Sequence, residues 1–172
     1  MLRFRTLCLF VLAAVLPGAP VLAEQALGPV SGQPVPRFVS LKASQTNLRE
    51  GPSRDHRIAW VFKRAGEPVE VIAEFETWRR IRDSEGSEGW VMQSMLSGRR
   101  TAIVAPWSKE AALPLYTADL ASAAPIAQLQ PGVLANIDKC SGLWCQIHGD
   151  GFRGWIAQEK LWGAYPKEEV KR

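Results

Sequence analysis

Four short apolar runs follow one another between residues 58 and 91: IAWVF (58–62), PVEVIAEF (68–75), WRRIR (78–82) and GWV (89–91). Each is rich in Val, Ile, Trp and Phe, and the intervening RAGE, ET and DSEGSE supply turn residues, so each run predicts a strand. QSML (93–96) suits a single helical turn, and RTAIV (100–104) then reads as the last strand of this set. A second set follows in the same order: IAQL, VLANI, WCQI and GWI, with a turn at QEKL.

The two sets are copies of one pattern. Gly66 and Gly132 are 66 positions apart, as are Trp78 and Trp144, and Ile81 and Ile147. Gly89-Trp90-Val91 matches Gly154-Trp155-Ile156 at an offset of 65, Leu96 matches Leu161 at the same offset, and Leu48 matches Leu115 at 67. The chain therefore divides into modules over 37–103 and 104–165, with a charged tail over 166–172. Five short strands in about 60 residues bury a core only by curling into a small barrel. Burial at that size is marginal, so the large apolar side chains are needed inside, and Ile81, Trp90, Ile147 and Trp155 are the expected core residues.

The order strand, x-G-x, strand, W-x-x-I, turn, G-W-V and helical turn resembles the bacterial SH3-like (SH3b) domain, in the branch found as tandem copies in exported proteins of Gram-negative bacteria. The matching stretches are NLREGPS (47–53), RAGEPVEVI (64–72), FETWRRIRD (75–83) and EGWVMQSMLSGRR (88–100) in the first copy. In the second they are LQPGVLANIDKCSGLWCQI (129–147) and RGWIAQEKLWG (153–163). The resemblance implies an all-β chain of two consecutive five-stranded SH3-like barrels that act as binding modules. It departs where NLREGPS is replaced by PLYTADL (114–120), so the opening loop need not have the same shape in both copies. The aromatic and acidic loop motif of eukaryotic SH3 domains is missing from both, so proline-rich peptide binding is not carried over.

The N-terminus changes the expected address. MLRFR, an apolar run of about a dozen residues and a V-x-A end read as a secretory signal peptide over 1–23, cleaved after Ala23. The run is shorter than the roughly 20 residues a spanning helix needs. Between Ala111 and Ile137 the prolines 114, 125 and 131 break any second span. The expectation is a periplasmic protein with no integral membrane segment after cleavage. Residues 24–36, with three prolines and two glycines, read as a tether. Loss of Arg3 and Arg5 lowers the net charge from +4 to +2, because all 17 acidic residues lie beyond the cleavage site. So small an excess gives little reason to bind nucleic acid.

In that compartment Cys140 and Cys145, facing each other across a hairpin closed by SGLW, are expected to form a disulfide. Zinc would need a fourth ligand beyond these two and His148, and a redox pair is usually C-x-x-C at a helix start. Free thiols, metal and redox use stand as the alternatives. The first copy carries Glu74 and Arg79 at the corresponding positions, so the staple belongs to one module only.

No catalytic constellation, metal set or cofactor motif is read from the chain. His56 and His148 are isolated, Cys145 and His148 point to opposite faces of a strand, and no acidic pair suits glycoside hydrolysis. Binding remains. In W-x-x-I, alternation puts Trp78 and Trp144 opposite Ile81 and Ile147, so inward isoleucines imply outward tryptophans, and exposed Trp is a common anchor for peptides or sugars. Arg80 and Arg82 share the Trp78 face. The strip suits carboxylates, such as those of peptidoglycan stem peptides or an acidic envelope protein. The bland reading of such a strip is a solvated face. A purely structural adaptor in the envelope is a second functional reading, and a cell-wall hydrolase a third.

Overall fold

The computed structural model describes residues 26–109 and 112–171, so the signal peptide expected over 1–23 lies outside the described residues. The first sheet contains β1 (Arg37–Leu41), β2 (Thr46–Arg49), β3 (Ile58–Phe62), β4 (Pro68–Phe75), β5 (Trp78–Arg82), β6 (Glu88–Met92) and β7 (Leu96–Ser97). The second contains β8 (Thr101–Val104), β9 (Leu113–Tyr116), β10 (Pro125–Leu129), β11 (Leu134–Ser141), β12 (Trp144–Gly149), β13 (Phe152–Ala157) and β14 (Leu161–Trp162), with β15 (Glu169–Val170) paired to β11. The pairing orders, β3-β2-β6-β5-β4-β1-β7 and β10-β9-β13-β12-β11-β8-β14, superimpose strand for strand. Among the described residues the only helical pieces are the single 3-10 turns Gln93–Met95 and Gln158–Lys160. The chain is all-β, two consecutive small SH3-like domains.

Repeated sequence landmarks have repeated physical jobs. Gly66 and Gly132 both sit at positive φ (80° and 84°), where a side chain would be strained. Each donates its N–H to the carbonyl at the end of a neighbouring strand, Leu41 of β1 and Val104 of β8, at 2.7 Å. A bulge follows Val71 in β4 and Ile137 in β11, the same place in each module. The first core gathers Leu41, Leu48, Phe62, Val69, Val71, Ile81 and Val91, and the second places Leu115, Ile137, Ile147 and Ile156 at matching points.

Three sequence expectations change. RTAIV does not close the first module. Leu96 and Ser97 already pair with Leu41 and Ser40 there, and Thr101–Val104 is taken up by β11 and β14 as the opening strand of the second. The segment expected as a tether is docked: Leu27 bridges Pro34, and the N–H groups of Val30 and Ser31 donate to the Glu74 carboxylate at 3.1 and 2.9 Å. Within the expected tail, Val170 and Glu169 pair with Cys140 and Ser141.

The modules touch. Trp162 Nε1 donates to the Pro68 carbonyl at 3.2 Å, and Tyr165 donates its hydroxyl to Glu70 at 2.8 Å. The Phe38 ring meets Trp162 edge-on at 5.1 Å and lies 4.6 Å from Tyr165. Burial and the Glu70 carboxylate push the Tyr165 phenol above its ordinary range, so it stays a donor.

Candidate functional site

Alternation along β5 puts Arg79 and Ile81 inward and Trp78, Arg80 and Arg82 on the other face. The register adds Met92, Trp90 and Glu88 of β6 opposite these three. The face is the expected one, but its environment is not.

Trp78 is only 7% exposed. It lines a hollow of about 410 Å³ with Gln45, Asn47, Arg49, Arg54, Met92 and Met95, because the 50–57 loop and the 3-10 turn after β6 fold over this end of the strand. Arg49 ties that loop down through the carbonyls of Arg54 and His56 at 2.9 and 2.6 Å, and Arg54 reaches the Met92 sulfur at 3.8 Å. The outward Trp78 of the sequence reading is therefore corrected to a buried ring with an edge on this hollow.

The arginine strip is corrected too. Arg80 pairs with Glu88 at 2.9 Å, and Arg82 pairs with Glu70 at 2.6 Å and reaches Glu88 at 3.9 Å. The charges proposed for a ligand's carboxylates are met by this chain's own. Arg49 and Arg54 differ: among the described residues neither forms an ion pair, and both stand beside Trp78. The sequence reading passed over them because nothing in NLREGPS says where its loop will lie.

Ile81 and Ile147 are core residues, both fully buried. Trp90 and Trp155, expected beside them, are only half-buried. In G-W-V the glycine and the valine face inward. A Cβ on Gly89 would stand 2.6 Å from Leu48, and one on Gly154 2.7 Å from Leu115, so the glycines make room for those leucines and the tryptophans turn out. Lys139 Nζ lies 4.9 Å from the Trp155 ring centroid, a cation–π contact on the outer face. Trp144 is half-buried as well, edge-on to Tyr116 at 5.6 Å, and Tyr116 replaces Arg49 at the position opposite the G-W-V tryptophan.

The cysteine rung has a counterpart. Cys140 is opposite Cys145, with sulfurs 2.02 Å apart, where the first module sets Glu74 opposite Arg79. The Glu74 side chain is 0% exposed, with Arg79 Nε at 3.3 Å and Arg37 at 2.8 Å. Burial alone would raise its carboxyl, but hydrogen bonds from Ser31, Arg37 and Val30 bring it down to about 2. One rung sets two cysteines at disulfide distance, and the other holds a buried ion cluster. Among the described residues no group of three or more His, Cys, Asp or Glu could hold a metal ion.

Comparison with known proteins agrees with the repeat. The sequence matches the Bacterial SH3 domain family twice, over residues 42–98 and 109–163. No curated protein matches. Among solved structures, NlpC2 from Trichomonas vaginalis is similar at 12% identity and a TM-score of 0.34, over 74% of this chain and 48% of that one. NlpC1 from the same organism gives 12% and 0.33, over 83% and 51%. This chain thus spans about half the length of either. The two family matches take in most of the chain, each with its own sheet and its own G-W-V or G-W-I strand: the protein belongs to the bacterial SH3 domain family.

Proposed function

We propose that this is an exported, non-enzymatic tandem SH3 protein whose first module binds peptidoglycan stem peptides in the periplasm. Bacterial SH3 domains are binding modules, which supports the general class. The observation that carries the ligand is the Trp78 hollow, where a ring edge stands beside two arginines that no carboxylate of the described chain engages. A guanidinium that no internal carboxylate engages is available to a ligand's carboxylate, and a neighbouring indole takes the apolar part of the peptide. Arg80 and Arg82, already paired, contribute nothing to this site. The second reading is an envelope adaptor that binds only proteins.

Sedimentation with purified sacculi tests the proposal. The wild-type chain is expected in the pellet. Arg54→Glu, on an exposed loop, should move it to the supernatant, while Arg80→Ala should leave it in the pellet. A wild-type chain that stays in the supernatant would remove the cell-wall reading and leave the adaptor. Release of soluble muropeptides during the incubation would overturn the non-enzymatic assignment.

A further inference from the structure

A cleft of about 540 Å³ opens where the modules meet, with Phe38, Glu70 and residues 82–86 on one wall. Trp107, Glu159, Trp162 and Tyr165 form the other. Trp107 sits on the strap leaving β8 and is 57% exposed, a large area of aromatic surface with no partner in its own module's core. The charges are one-sided. Glu70, Asp83, Glu85 and Glu159 line the cleft against Arg82 alone, and Arg82 is held by Glu70.

The turn after β5 gives this charge a fixed place. Asp83 accepts from the backbone N–H groups of Glu85 and Ser87 at 3.0 and 2.8 Å, so the turn is tied to its own carboxylate. The other side of the same turn walls a smaller hollow of about 140 Å³, with Phe62, Glu67 and the 60% exposed Trp60. Burial raises the Glu67 carboxyl, Arg64 opposes this, and the neighbouring Asp83 and Glu85 raise it further.

We propose that this cleft docks an extended peptide segment of a protein partner, carrying lysine or arginine between apolar residues. Two acidic hollows on either side of one turn, each with an exposed tryptophan, match an extended chain in which cationic and apolar side chains alternate. A cation over an indole face adds to its attraction by the carboxylates. A stem peptide, with its own carboxylates, fits this cleft poorly. The two sites of opposite charge would let one chain bridge wall and partner. The inference is independent of the Trp78 hollow, which shares no residue with the cleft.

The test is a fluorescence-anisotropy titration of the protein with a labelled decapeptide alternating lysine with leucine and serine, against the same peptide with glutamate for lysine. The lysine peptide should bind at least about tenfold more tightly, with affinity falling as salt rises. Trp107→Ala, and separately Glu85→Gln with Glu159→Gln, should each weaken it by about tenfold or more. All three residues are exposed, so circular dichroism should be unchanged, and retention on sacculi should persist in both variants. Equal binding of the two peptides, or wild-type affinity in both variants, would overturn the proposal. So would soluble muropeptides binding in place of the lysine peptide and losing affinity in Trp107→Ala.

Discussion

At the scale of single residues, Glu74 is the most heavily used side chain of the first module. It takes hydrogen bonds from Val30, Ser31 and Arg37, and it is the buried counter-charge of Arg79, whose side chain is 2% exposed. Glu74→Gln keeps the shape and removes the charge. Breaking one side of a buried pair costs about 3–5 kcal/mol, and chemical denaturation should show a loss of that order. The acid response follows from the carboxyl lying near 2, below its ordinary 4.5. A depressed pKa stabilises fully above the ordinary value, and the contribution fades as the pH falls toward 2. The stability gap between wild type and Glu74→Gln should therefore shrink as pH is lowered from about 4.5 to 2. A gap constant over that window would mean that the carboxylate's charge is not what the variant removes.

At the scale of elements, the apolar runs were enough to read β3 to β6 and β10 to β13, and repeated landmarks gave the repeat and the inward isoleucines of β5 and β12. β1, β2, β7, β9 and β14 went unread, so each sheet runs through seven strands where five were expected. Parity also placed Trp78 correctly, opposite Ile81. What parity could not supply was the cover, since the loop and turn that bury Trp78 come from outside β5. Trp90 failed for the converse reason. Its size argued for the core, whereas Gly89 holds the inward position that Leu48 needs. The cysteine rung was legible because both ends of the hairpin lie in one short stretch. If Cys140 and Cys145 are joined, mass spectrometry of the protein purified without reductant should show the loss of two hydrogens. Replacing both by serine should cost about 1–3 kcal/mol without altering the fold. Quantitative thiol labelling without reductant would count against the bond. The first module, with Glu74 and Arg79 on that rung, should be indifferent to reduction.

At the scale of the whole molecule, the aromatic contacts between modules come from residues that the repeat does not share. By strand register, Trp162 stands where the first module has Ser97, and Phe38 and Glu70 stand where the second has Thr101 and Asn136. Aromatic residues present in one copy alone are not required by the common barrel, and that asymmetry was the unread sign of the cleft. Trp162→Ala should accordingly leave the second barrel folded, since Ser97 closes the first sheet without an aromatic ring. It removes the hydrogen bond to Pro68 and the edge-on contact with Phe38, which are made across the modules. Calorimetry should show one cooperative transition in the wild type and two separate ones in the variant, and small-angle scattering should show a larger radius of gyration. Circular dichroism at room temperature should hardly change. If the variant instead loses its strand signal or binds the lysine peptide as the wild type does, Trp162 belongs to its own module's core and the cleft does not depend on docking.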